Sequence, residues 1–259
     1  MNYFTPSEIV EIAKEKGVEK ANSSPKKLLV LSFLGGMYIA LGFLAYVRVA
    51  GTMPAEWGSF SSFLGACVFP IGLIAVLLEG GELITGNMMV MPIALARKAI
   101  TPKGLIYNWA LVTLGNLLGA VATAYFFGHV VGLTEGVFLE KTIAIATAKV
   151  SQDFSPSLVS GVGCNIFVCM GVWLCFGAKD FTGKILGIWF PVMVFVAIGF
   201  QHVVANMFIV PAALFSGASA LTWGQFWMSC IPVYIGNVIG GGVMLGLLYH
   251  IAYPVQVKG

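Results

Sequence analysis

The chain has 259 residues, of which 58% are hydrophobic and only 10% are charged, and its formal net charge is +3. Soluble domains carry about 25% charged residues and the mean hydropathy here is +0.91, so a soluble globular protein is excluded and lipid is the solvent for most of the surface. The small net charge gives no footing for nucleic-acid binding, and the long, unalternating apolar runs exclude a transmembrane barrel.

In chain order, the first 27 residues are polar and charged, with no apolar run of the kind that makes a cleavable signal. Thr5 or Ser7 can cap a helix there, Pro6 suits its first turn, and Glu8 favours its N-terminus. Ile9, Val10, Ala13 and Val18 interleave with Glu11, Lys14, Lys16 and Lys20. That pattern predicts an amphipathic helix, either lying on the membrane face or packed on a neighbouring subunit. Spans of about 20 residues follow, the length a bilayer core demands. The first covers 28–50. The second starts near 60, breaks over 79–87 and resumes as a half-helix over 88–96. The third covers 105–127. A connection, 128–156, holds an amphipathic stretch at 139–150. The fourth span is 158–178. The fifth runs 185–200, breaks at 201–206 and resumes to 215, and the sixth is 221–251.

Two segments are near copies. Glu82 to Pro92 and Gln201 to Pro211 each interrupt an apolar run, share Asn-Met, and place proline five positions after that asparagine. Gly115-Asn116-Leu117-Leu118-Gly119 is echoed by Gly236-Asn237-Val238-Ile239-Gly240, so the offsets are 119 and 121 residues. With three spans per half, the second half enters the bilayer in the opposite sense. The predicted fold is therefore all-α: six transmembrane helices as two inverted three-helix repeats, helices 2 and 5 broken, in an aquaporin-like arrangement. The organisation is an arm (1–27), a first repeat (28–127), an outer connection (128–156), a second repeat (157–252) and a tail (253–259). With the N-terminus inside, only Arg48, Lys141 and Lys149 of the 14 Lys and Arg lie outside, which places both termini in the cytoplasm.

A helix that unwinds inside a membrane exposes backbone groups, which are tolerated only where protein or a water-filled cavity covers them. Half-helices resuming at Met88 and Met207 would point free N–H groups inward, and such ends favour anions. Asn87 and Asn206 are the expected caps. His202 sits in the second break, and an ionisable side chain at membrane depth defaults to a functional role. Thr85, at the facing break, offers a hydroxyl to the same guest. Lys149 either snorkels to the outer interface or sits beside the pore and concentrates anions. Glu79 and Glu82 read as acceptors for unwound backbone N–H groups, and alternatively as a cation site. Phe69-Pro70 and Phe190-Pro191 precede the breaks, where aromatic rings can build a dry constriction. Cys67, Cys164, Cys169, Cys175 and Cys230 are odd in number, apolar in context and without metal-ligand spacing, so they read as reduced packing residues. No metal, no cofactor and no enzymatic activity are expected.

Several of these segments together resemble the formate/nitrite transporter family. They are Leu83-Ile84-Thr85-Gly86-Asn87, Lys149, Gly163 to Cys169 with Val172-Trp173, Gly199 to Phe208, and Gly236 to Gly241. The likeness covers nearly the whole chain in order, and within the family it looks nearest to clostridial hydrosulfide-conducting members. The resemblance implies a homopentamer in a bacterial membrane, one pore per protomer and a lipid-plugged central hole. It implies small monovalent anions of weak acids as guests, with hydrosulfide favoured and formate and nitrite beside it. It also implies pore or substrate-binding roles for His202, Lys149, Asn165 and Asn237, aromatic constrictions at Phe69 and Phe195, and a mobile slit loop at Leu83, Ile84 and Thr85. Formate-type members often carry Phe where this chain has Ile84, which argues against formate as preferred guest, and Gln201 stands where an acidic residue is common. The rivals are a formate or nitrite transporter coupled to protons, a neutral-solute pore of aquaporin type, and a cation-coupled transporter using Glu79 and Glu82.

Overall fold

The computed structural model describes residues 3–218 and 220–254. Helix α1 (Pro6–Ala21) begins at Thr5, whose hydroxyl accepts from the Glu8 N–H while the Glu8 carboxylate accepts from the Thr5 N–H, a reciprocal cap. Among the described residues six helices are long and apolar enough to cross a membrane: α2 (Pro25–Ala50), α3 (Ser59–Gly80), α5 (Pro102–Val130), α7 (Phe154–Gly177), α8 (Phe181–Ile198) and α10 (Trp223–Ala252). Between them stand two short apolar helices, α4 (Ile84–Ala96) and α9 (Val203–Phe215), and the connecting helix α6 (Leu139–Val150). At about 1.5 Å per residue, α4 and α9 each reach about 20 Å, too short for a core of about 30 Å. Each works with the preceding long helix as one interrupted span. No strand occurs among the described residues.

Four of the long helices start at a residue whose side chain caps them. Ser24 caps α2, Thr101 caps α5, Asp180 caps α8, and Thr222 with Gln225 forms a reciprocal cap on α10. Gly199 ends α8 in the left-handed region at φ 88°, a conformation only glycine adopts without strain. The breaks are shorter than the sequence suggests. The first is Gly81 to Leu83, and α4 starts at Ile84 rather than Met88; the second spans Gly199 to His202, and α9 starts at Val203 rather than Met207.

The echoed Gly-x-x-x-Gly segments are helix crossings. On α5, a Cβ at Gly119 would collide with the Phe33 carbonyl oxygen of α2; on α10, a Cβ at the matching Gly240 would collide with the Val162 carbonyl oxygen of α7. Small residues let the backbones meet, as at many membrane-helix interfaces. Helix α1 packs one face on the bundle of its own chain. Its Ile9, Val10 and Ala13 are buried against Met89, Val90 and Ile93 of α4 and against Val172 and Trp173 of α7. The close approach is made possible by Gly17, whose missing side chain leaves room for Ala94 and the Val90 carbonyl. Cys164, Cys169, Cys175 and Cys230 are buried thiols, and all five cysteines are free. Of the tail, Lys258 and the rest of 255–259 lie outside the described residues.

Candidate functional site

Both breaks are held by the same set of bonds. In the first, Asn116 Oδ1 accepts from the Ile84 N–H at 2.9 Å, while its Nδ2 donates to the Ser32 carbonyl at 2.7 Å and the Glu82 carbonyl at 2.8 Å. In the second, Asn237 Oδ1 accepts from the Val203 N–H at 3.1 Å, and its Nδ2 donates to the Gly161 carbonyl at 2.8 Å and the Gln201 carbonyl at 3.1 Å. One asparagine per half thus supplies a donor and an acceptor to backbone that has left helical bonding, which buried backbone requires. Asn87 and Asn206 are not caps. Each lies one turn inside its half-helix and donates through Nδ2 to the side chain at the break, Asn87 to Glu82 at 2.8 Å and Asn206 to Gln201 at 3.0 Å.

The cap of α9 is His202 itself. Its Nδ1 accepts from the Ala205 N–H at 3.1 Å, and its Nε2 stands 3.0 Å from Thr85 Oγ1. An acceptor at Nδ1 fixes the neutral tautomer with the proton on Nε2, so Nε2 donates to the Thr85 hydroxyl. This bond joins the starts of the two half-helices. Asn165 ties the same place from α7: its Nδ2 donates to the Asn237 carbonyl at 2.6 Å and the Thr85 carbonyl at 3.2 Å.

Two cavities approach this junction from opposite sides. One, of about 320 Å³, is lined by Lys149, Gln201, His202, Phe43, Phe69 and Phe195 among others. The other, of about 330 Å³, is lined by Lys20, Glu82, Leu83, Gly86, Asn87 and their neighbours. Between them Ile39, Phe69, Leu73, Leu83, Val168, Val192, Phe195 and His202 surround a gap with no room for a water molecule. Phe69 meets Phe195 edge to face at 5.8 Å between ring centres, and Phe195 stacks on the His202 imidazole at 5.9 Å. His202 is the one polar side chain in this constriction.

Lys149 lies on α6, outside the six long apolar helices. It does not snorkel. Its Nζ donates to Gln201 Oε1 at 3.2 Å and stands 5.8 Å from the Phe43 ring centre, and burial pushes its pKa down from the ordinary lysine value to about 8. On the opposite side Lys20, from α1, bonds Glu82 Oε1 at 2.7 Å. Glu82 therefore accepts from side chains rather than from unwound N–H groups, and its own N–H donates to the Leu31 carbonyl at 2.9 Å. Glu79 is exposed, so the two acids form no shared cation site.

Of the residues picked out by sequence, the structure brings His202, Thr85, Leu83, Lys149, Phe69 and Phe195 together around the constriction and the cavity on its Lys149 side. Ile84 is fully buried and lines neither cavity nor constriction. Asn165 and Asn237 line neither cavity; the Asn237 amide is spent on the backbone of the second break, while Asn165 donates to the Asn237 and Thr85 carbonyls and its Oδ1 is buried without a partner among the described residues. Phe190 is 55% exposed and stands away from the site. The sequence reading missed Gln201 as the hub between Lys149 and Asn206, although its repeat position opposite Glu82 marked it. It also missed the bracing role of Asn116, visible only as an echo of Asn237, and the Lys20–Glu82 pair, for which no sequence signal existed.

A family model described as Formate/nitrite transporter matches residues 7–251. The chain is 59% identical to the uncharacterized transporter YrhG of Bacillus subtilis (strain 168), over 98% of this chain and 95% of that one. It is 48% identical to the formate channel BtFdhC of Bacillus thuringiensis, over 99% and 98%. Among solved structures, an FNT family ion channel superposes with a TM-score of 0.90 at 25% identity, covering 95% of this chain and 99% of that one. A pentameric formate channel with formate bound superposes with a TM-score of 0.73 at 30% identity, covering 88% and 97%.

Proposed function

The chain belongs to the formate/nitrite transporter family, and on that premise we propose that it is a passive channel for small monovalent anions of weak acids, formate foremost. The family and the relatives above are transporters and channels, not enzymes. One observation carries the reading: two cavities of about 320 and 330 Å³ meet at a dry gap whose single polar side chain is the His202 imidazole, bonded to Thr85 of the other half. A bare charge in such a gap is costly, so the guest crosses as its neutral acid. Lys149 and the N-terminal dipole of α9 draw the anion into the outer cavity. It takes its proton from cavity water, since the neutral His202 is tied at Nδ1 and offers only an Nε2–H hydrogen bond. The guest takes that bond over from Thr85 as it enters and is oriented by it.

Formate is favoured over hydrosulfide for two reasons. The relative at 48% identity is a formate channel. The argument against formate rested on Ile84, which is turned into the core and lines no part of the pathway. Hydrosulfide, preferred by the sequence reading, is the direct competitor in the test. We further propose a homopentamer, supported by the pentameric structural neighbour, with both termini on the cytoplasmic side of a bacterial membrane, supported by the positive-inside bias.

The experiment is uptake of formate, hydrosulfide, nitrite and glycerol into vesicles, for the wild type and His202→Asn. Asparagine keeps a helix cap but withdraws the ring from the constriction. Uptake of formate and loss of at least about tenfold in the assembled variant are expected, tenfold being the worth of one neutral hydrogen bond of about 1.4 kcal/mol. Undiminished flux in the variant would remove His202 from the pathway. Glycerol uptake without anion uptake would favour the neutral-solute pore.

A further inference from the structure

The two breaks share a polar frame but not a charge. Position 82 is glutamate and the matching position 201 is glutamine. Each side-chain oxygen pair or amide receives one lysine and one asparagine: Lys20 and Asn87 on Glu82, Lys149 and Asn206 on Gln201. The lysines line cavities on opposite sides of the dry gap. Lys20 is neutralised by its carboxylate at 2.7 Å, with side chains only 17% and 11% exposed. Lys149 has no carboxylate within 4.0 Å among the described residues. Lys16, Glu19 and Lys27 also line the Lys20-side cavity, but their side chains are 50 to 54% exposed, where salt screens them. The Gln201 amide is locked in one orientation, because its Nε2 donates to Gln152 Oε1 at 3.0 Å. Its carbonyl oxygen therefore faces the ammonium, and it orients Lys149 without cancelling its charge.

We propose, resting on the anion-channel reading, that Gln201 makes the Lys149 side the tight end for monovalent anions, so that the channel half-saturates at a lower concentration from that side. A passive pathway cannot pump. With no pH gradient and no membrane potential, the ratio of maximal rate to half-saturating concentration is equal in both directions, and the maximal rate from the Lys149 side is lower in the same proportion. Gln201 is a positioning residue that sets affinity through Lys149.

The test is concentration-dependent uptake of labelled formate into right-side-out and inside-out vesicles carrying the full chain, at equal pH with the potential collapsed. The half-saturating concentration is expected to be about five- to tenfold lower from the Lys149 side, the effect of one partly solvated charge near a monovalent guest. Gln201→Glu adds the missing carboxylate and should bring the two sides level. Glu82→Gln should tighten the Lys20 side, and the double exchange should reverse the order. If Gln201→Glu does not assemble, Glu82→Gln decides, because it recreates the Lys–Gln–Asn set on which the other half already folds. Equal half-saturation from both sides in the wild type overturns the proposal, as does an assembled single variant that leaves its own side unmoved. Absence of anion uptake from both sides is a distinct result, which removes the anion-channel reading and this proposal with it.

Discussion

Replacing Asn116 by alanine tests whether the breaks are braced as described. Asn116 is fully buried and makes three hydrogen bonds at 2.7 to 2.9 Å. The Ser32 carbonyl lies inside α2 and keeps a helical partner. The Ile84 N–H and Glu82 carbonyl lose their partner in a dry place. Leaving a buried polar group unsatisfied costs about 1–3 kcal/mol, so two of them cost roughly 2–6 kcal/mol. At about 2–4 °C per kcal/mol for a chain of this size, the apparent melting temperature should fall on the order of 10 °C. The assay is loss of the assembled peak on size exclusion after heating in detergent, with Asn237→Ala in parallel. Asn237 makes the matching three bonds, at 2.8 to 3.1 Å, and its loss should be as severe. If both alanine variants melt within about 2 °C of the wild type, a change under about 1 kcal/mol, these asparagines do not carry the broken backbone.

Two further outcomes follow from the site. As pH rises through about 8, the Lys149 ammonium is lost, so half-saturation from its side should weaken; Lys149→Arg keeps its charge and should show no such step over the same range in vesicle uptake. Leu83→Ala removes a branched side chain from the wall of the constriction, so water should enter the gap. Stopped-flow light scattering should then report water or glycerol permeation that the wild type lacks, and an unchanged trace would place the barrier elsewhere.

The long spans were legible because bilayer thickness imposes a length and a hydropathy that no other solvent demands. The connection helix at 139–150 matches its sequence range, and the other spans begin and end within a few residues. The breaks were located but misdrawn. Sequence reading put the half-helix starts at Met88 and Met207 because Asn87 and Asn206 look like caps; no local pattern says that Asn116 and Asn237, about 30 residues further on, supply those bonds instead. The placement of α1 was legible as amphipathic but not in its partner, since Gly17 packs against α4 through a tertiary contact with no local trace. His202 and Lys149 were identifiable as chemistry out of place in an apolar chain, and Phe195 only through the family resemblance. Leu73, Val168 and Val192, which close the gap with them, were not, because aliphatic residues in a membrane span carry no mark of facing a pathway rather than lipid.

The asparagine brackets use backbone atoms of the unwound turns, and they leave the side chains there unspecified. One half carries leucine at position 83 and the other histidine at the equivalent 202, on matching scaffolds. The brackets themselves involve neither of these two side chains. A designer can therefore exchange the leucine at 83 without touching either bracket, whereas any replacement at 202 must also supply the acceptor that caps α9.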